Sequence, residues 1–361
     1  MKYQLCIGFL LLSVFCKAQK VTVAEFTFDP LQLTGNTAVK DQNMSSTCWS
    51  FSSNSLLESE LMRLGKTNID LSEMFVARYS MKRKITTHLQ LKGQNYFTPG
   101  GQFHDVVWVL KNYGIVPENI YPGNTNALQK HNHLNLDDVI SKFIQKMLKG
   151  GVMTLNQQQN NYVDSVLDHY LGPVPGQFNS NGKQHTPKTY LKEVLAINPD
   201  DYVEITSYTH HPFYTTFILE DKYNWTGDAY YNVTMDDFSA VTDHALANGY
   251  SVGWDGDADD DNFNYNQGLA FLPQTISDYQ AYRQMALEDE STLLNHMMHI
   301  VGFTKDNFGN KWYYIKNSWG DKTNALGGYL YMRDDYFKIR TVAIIVNKNA
   351  IPALIRKKMR L

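Results

Sequence analysis

A chain of 361 residues with 43% hydrophobic and 13% aromatic content carries enough apolar surface for one large domain or two lobes, which excludes a disordered polymer. Its formal net charge of -3, with no dominant basic run, argues against nucleic acid as the main partner. Beyond the N-terminus no apolar stretch approaches the ~20 residues needed to span a bilayer, which argues against stable membrane insertion.

Residues 1–18 combine Lys2, an apolar run from Leu5 to Cys16 and small residues suited to cleavage after Ala18, the pattern of a secretory signal peptide. Its removal takes away Cys6 and Cys16 and leaves Cys48 as the one cysteine of the mature chain, residues 19–361. No intramolecular disulfide is then possible, and a lone thiol in an oxidising compartment needs a use. A bacterial periplasm or cell exterior is the expected location. Sequons at Asn43, Asn224 and Asn232 allow glycosylation, but a glycan on Asn43 would crowd Cys48.

After a strand-like lead-in, V-T-V-A-E-F-T-F, comes Q-N-M-S-S-T-C-W-S-F, residues 42–51. Leu57, Leu61 and Leu64 recur at helical spacing and Gly65 is a plausible stop, so residues 48–64 read as a buried helix with Cys48 in its first turn. There, unpaired backbone N–H groups and the macrodipole favour thiolate over thiol. Asp70 or Ser72 can cap a second helix near Glu73. A third helix carries Val106, Val107, Val109 and Leu110 and stops at Gly114, preceded by the Gly100–Gly101 turn, which permits close backbone approach.

From about 124 to 200 the chain turns polar and helical, broken near Pro173 and Pro175, and reads as a helical insertion. Its His131, His133, His169 and His185 lack metal-type spacing and are expected at the surface. From Asp201 onward β-branched and aromatic runs predict a sheet-dominated half, giving an α+β protein of two lobes. The acidic run Asp255, Asp257, Asp259, Asp260, Asp261 lacks the Gly and Glu of an EF-hand loop and reads as a solvated loop, with a weak calcium site as the alternative. His210 and His211 would point to opposite faces of a strand and read as structural.

Thiol chemistry needs a base and a group to orient it. His296 opens a probable strand over 296–303 and Asn317 closes one over 311–317, so antiparallel pairing would bring the two together. His299, three residues further along the first strand, faces the other way.

Several motifs together resemble the papain-like cysteine peptidases, specifically an exported bacterial member of the bleomycin hydrolase and aminopeptidase C branch. They are Gln42 six positions before Cys48, Cys48-Trp49-Ser50-Phe51, Leu71-Ser72-Glu73, Gly100-Gly101, His296 through Val301-Gly302-Phe303, and Asn317-Ser318-Trp319-Gly320. The resemblance implies a two-lobed fold with a helical left lobe and an antiparallel β right lobe. It implies Cys48 as nucleophile, His296 as general acid/base, Asn317 as its orienting partner and Gln42 in the oxyanion hole. Trp319 would shield the His–Asn bond, and Gly100, Gly101, Trp49 and Trp319 would border the substrate. The expected activity is cofactor-free and metal-free hydrolysis of peptide substrates through a Cys acyl-enzyme, as an aminopeptidase. An endopeptidase, or a catalytically silent peptide-binding homologue, is the alternative. In that branch a C-terminal tail enters the cleft and the enzymes assemble as hexamers; here the short basic tail ending at Leu361 leaves both features, and any homo-oligomer, open.

Overall fold

The computed structural model describes residues 20–124 and 130–361, so the expected signal peptide, with Cys6 and Cys16, lies outside the described residues. The lead-in forms a hairpin, β1 (Val21–Val23) with β2 (Phe26–Phe28), followed by β3 (Gln32–Leu33).

Helix α1 (Cys48–Arg63) runs through the middle of the molecule and is buried on nearly every face, including Leu56, Leu57 and Leu61. Its buried Ser and Asn side chains explain how a helix so polar can be internal. Ser50 donates to the Glu73 carbonyl at 2.8 Å, Ser52 to the Met298 carbonyl at 2.6 Å, and Ser55 Oγ lies 2.8 Å from His299 Nδ1. Small side chains admit close neighbours, and these three hydroxyls are satisfied there, while Ser59 Oγ is buried without a partner. At its end the Lys66 N–H reaches the Leu61 carbonyl at 2.8 Å and the Gly65 N–H reaches Met62 at 3.0 Å, a Schellman closure that requires the positive φ of 78° at Gly65.

Helix α2 (Glu73–Gln90) is capped by Ser72, whose hydroxyl accepts from the Phe75 N–H at 3.1 Å, and α3 (Phe103–Tyr113) stops at Gly114 as expected. Helices α4 (Leu134–Lys149) and α5 (Gln157–Leu171) follow, then a hairpin of β4 (Phe178–Ser180) and β5 (Lys183–His185), the short α6 (Pro187–Thr189) and a π-helical turn, Tyr190–Leu195. The segment over 124–200 is therefore helical in α4 and α5 and again over 187–195, with a hairpin between. It shares one hydrophobic core with α1, α2 and α3 through Ile140, Ile144, Leu167 and Leu195. That packing corrects the surface placement of its histidines: His133 and His185 are buried, His131 is half-buried, and only His169 is exposed.

The second half contributes β6 (Tyr202–Thr206), β7 (Thr216–Ile218), β8 (Ala229–Asn232), β9 (Val252–Gly256), β10 (Phe263–Asn264), β11 (Leu269–Ala270), β12 (His296–Lys305), β13 (Lys311–Lys316), β14 (Tyr329–Arg333) and β15 (Thr341–Asn347). They form one sheet in the order β10-β11-β14-β13-β12-β9-β15-β6-β8-β7, with β3 added on β12. Most pairs are antiparallel, while β11–β14 and β6–β8 are parallel. Helices α7 (Met235–Ala247), α8 (Tyr279–Glu288), α9 (Asp334–Arg340) and α10 (Ala353–Lys358) complete this lobe. Ile205, Val252, Trp254, Ile300, Ile344 and residues of α7 and α10 form its core. Two lobes with separate cores, one helical and one sheet-based, therefore meet along α1 and β12. Among the described residues no helix is long and apolar enough to cross a membrane.

Candidate active site

A cleft of about 450 Å³ opens between the lobes, lined by Gln42, Cys48, Gly100, Gly101, Asp255, His296, Met297 and Trp319, among others. Cys48 is the first residue of α1, directly after the cap position Thr47. From the sheet side, β12 presents His296 and pairs antiparallel with β13, which leads straight into Asn317.

His296 Nε2 donates to Asn317 Oδ1 at 2.8 Å, and the Ser318 N–H donates to the same oxygen at 2.7 Å. With Nε2 committed, Nδ1 is the nitrogen left for the thiol. Trp319 lies over the imidazole with ring centroids 4.7 Å apart, screening the His–Asn bond from water. His299 is buried on the far side against Ser55, so it does not compete.

Gln42 is buried and held twice: its N–H donates to the Ser318 carbonyl at 2.8 Å, and its Oε1 accepts the Ser318 hydroxyl at 2.6 Å. Fixing Oε1 leaves the Nε2 donor for the cleft, where Cys48 also lies. Ser318, hidden in plain view in the Asn-Ser-Trp-Gly motif, is thus the residue that sets the amide's orientation.

Burial dominates the electrostatics. It pushes the Cys48 thiol up to about 11, against the backbone N–H groups of Met297, Trp49 and Cys48 itself, although part of the side chain opens to the cleft. It holds the His296 imidazole down to about 4, against the Asn317 bond. The expected low thiol pKa at the helix start is corrected accordingly. Backbone donors act in the expected direction, but withdrawal of water outweighs them. In the unliganded cleft the favoured state is neutral thiol beside neutral imidazole.

Gly100 and Gly101 border the cleft through close packing. A Cβ on Gly101 would sit 2.9 Å from the Trp49 ring and 3.0 Å from Asp105 Oδ2; one on Gly100 would meet Tyr223 at 2.9 Å. Trp49 itself is buried beneath this loop, donating from Nε1 to the Pro99 carbonyl at 3.1 Å, so it supports the substrate-side loop and does not border the cleft. Lys84 of α2, which sequence reasoning passed over, donates to the carbonyls of Thr98 and Gly100 and fixes the same loop from behind.

The acidic run is a solvated loop only in part: Asp259 and Asp261 are exposed, but the others are not free carboxylates in water. Asp255 is buried in β9. Asp257 accepts from the Leu293 N–H at 2.9 Å and from Asn295 Nδ2 at 2.7 Å, and Asp260 pairs with Arg340 at 2.7 Å. These carboxylates serve separate partners, which is not the convergence a calcium site needs. His210 and His211 lie in a turn and not on a strand, so both rings reach Glu220, at 3.1 and 2.7 Å. Leu361 ends the chain after α10, which docks through Ile355 and Met359 into the sheet-lobe core and pairs Lys358 with Asp237 of α7; it is not among the residues lining the cleft.

A model of the Peptidase C1-like family matches residues 176–360. Aminopeptidase C of Lactobacillus delbrueckii subsp. lactis is 23% identical over 396 residues, covering 94% of this chain and 86% of that protein. Aminopeptidase C of Streptococcus thermophilus is 24% identical over 288 residues, covering 70% of this chain and 64% of that protein. Among solved structures, PepW from Lactobacillus rhamnosis superposes with a TM-score of 0.69 at 20% identity, covering 91% of this chain and 84% of that one.

Proposed function

We propose, from the premise that this chain belongs to the Peptidase C1-like family, that it hydrolyses peptide bonds through an acyl-enzyme on Cys48 and acts as an aminopeptidase. The observation that carries the chemistry is the His296–Asn317 bond of 2.8 Å in the same cleft as Cys48 and Gln42. The two similar aminopeptidases support the choice of an exopeptidase.

The geometry supplies each step. As the substrate carbonyl arrives, His296 Nδ1 takes the thiol proton and the sulfur attacks the carbonyl carbon. The neutral resting pair becomes an ion pair only at that moment, in a site with little water, where each new charge is stabilised by the other. The oxyanion is received by Gln42 Nε2 and the Cys48 N–H, a group that its place at the helix start leaves without an intrahelical carbonyl. His296 then returns the proton to the leaving amine, and water, activated by the same imidazole, releases the acyl group. Every residue invoked belongs to the chain.

Export is part of the same reading. It rests on the apolar run of residues 5–16 and on Cys48 being the lone cysteine once that segment is removed. A bacterial origin is supported by the sequons: Asn224 and Asn232 are buried, with Asn232 Nδ2 donating to the Tyr208 carbonyl at 2.8 Å, so neither amide can carry a glycan in this fold.

The deciding experiment digests a peptide library with free and with acetylated N-termini, using wild type and Cys48→Ala. Release of N-terminal residues from free peptides alone, abolished in Cys48→Ala, is the expected result. Internal cleavage of acetylated peptides makes the protein an endopeptidase. Hydrolysis that survives Cys48→Ala overturns the nucleophile.

A further inference from the structure

Asp255 lies in the wall of the cleft, yet nothing in the chemistry above uses it. Its side chain is fully buried in β9, opposite Met297 of β12, which also lines the cleft and whose backbone favours the Cys48 thiolate. Among the described residues it is the only buried carboxyl group with both oxygens lacking a hydrogen-bond partner. Leaving such a group unpaired costs folding free energy. A ligand that brings its own positive charge removes the deficit.

The surroundings select what that ligand group is. The lining of the cleft contains no lysine or arginine among the described residues, so no protein cation competes for Asp255. Tyr96 and Tyr223, edge to face with centroids 5.5 Å apart, wall the same cleft, and the Lys222 ammonium already lies over both rings at 5.3 and 5.5 Å, so of the groups lining the cleft it is Asp255 that is left to bind an arriving cation. Burial, with Glu204 and Asp221 nearby, raises the Asp255 carboxyl well above its ordinary range, a penalty on its charge that an arriving cation would relieve.

We propose that Asp255 is the anionic anchor for the free α-amino group of the peptide, and so the residue that restricts cleavage to the amino terminus. This rests on the aminopeptidase reading. The terminal ammonium sits only two bonds from the carbonyl that Cys48 attacks when a single residue is removed, so its anchor must share the cleft with the nucleophile, as Asp255 does. Leu361 follows Met359, which packs in the sheet-lobe core, and is not among the residues lining the cleft.

The test measures kcat/KM for aminomethylcoumarin amides of leucine and lysine, each with a free or an acetylated amino group, on wild type, Asp255→Asn and Asp255→Ala. Two neutral variants are made because a buried amide brings unmet hydrogen-bonding needs of its own. Stoichiometric alkylation of Cys48 and an unchanged melting profile identify which of them keeps the cleft. Wild type preferring the free amine, with that preference falling about 100-fold or more in the folded variant, supports the assignment. A preference that survives in the variant overturns it while leaving the aminopeptidase reading intact. A wild type that does not distinguish free from acetylated substrates removes both. Loss of a preference for acetyl-lysine over acetyl-leucine, with amino-terminal preference intact, shows that Asp255 reads a basic side chain, and the proposal fails.

Discussion

The Ser318 hydroxyl donates to Gln42 Oε1 at 2.6 Å, joining two residues that lie at opposite ends of the chain. One bond decides which end of an amide faces the cleft. Gln42→Ala removes the proposed oxyanion donor and should lower kcat about 10²- to 10³-fold. Ser318→Ala keeps the amide but frees it to turn, so a smaller loss in kcat, with KM little changed, is expected. Steady-state kinetics on one substrate compare the two; a Ser318→Ala enzyme indistinguishable from wild type would show that the hydroxyl does not orient Gln42.

Asn317→Ala should lower kcat by about 10- to 100-fold by releasing the His296 ring, a part of what general acid–base catalysis contributes. The pH profile of wild type gives an independent check. Because burial holds His296 down to about 4, its imidazole stays unprotonated and able to act as base at all higher pH, and activity should fall only as pH descends through about 4. An acid limb near pH 6.5 instead would mean that the ring is hydrated in solution.

Gly101→Ala places a methyl 2.9 Å from the Trp49 ring, which is pinned through its Nε1 bond to Pro99. Overpacking of this kind costs about 1–3 kcal/mol. A lower melting temperature with a raised KM is expected, since the loop that borders the cleft must move. Thermal unfolding and KM measured together separate this from a purely local effect.

His104 makes a pH-dependent contribution to stability. Burial lowers its affinity for a proton, but Glu204 at 2.9 Å, with Asp105 and Asp228, outweighs burial and raises it from the ordinary 6.5 to about 9. A group whose folded pKa is raised stabilises fully below its unfolded value, so the contribution is present below about pH 6.5 and is lost as pH rises through about 9. It amounts to at most about 3 kcal/mol. The difference in urea midpoint between wild type and His104→Gln should be large at pH 6 and shrink above pH 9.

Local signals were legible because they depend on near neighbours in the chain. The spacing of Leu57 and Leu61 and the stop at Gly65 gave α1, the Ser72 hydroxyl gave the start of α2, and strand alternation gave β12 and β13, whose antiparallel pairing placed His296 beside Asn317. The turn that holds His210 and His211 lies between β-branched and aromatic runs that look like strand, and the hairpin over 178–185 is too short to carry a periodicity of its own.

By itself the sequence determined the chemical identities of the candidate site: a thiol at a helix start, an imidazole and an amide on adjacent strands, a glutamine ahead of the thiol. Tertiary structure alone decided their electrostatic state and their surroundings. Burial, which no local pattern encodes, raised the Cys48 thiol and lowered the His296 imidazole together. It also separated Asp255 from the acidic run in which it is written, because β9 carries it into the cleft wall while Asp257 and Asp260 find partners outside. Desolvation depends on what the other lobe covers, and that is a property of packing between residues distant in the chain.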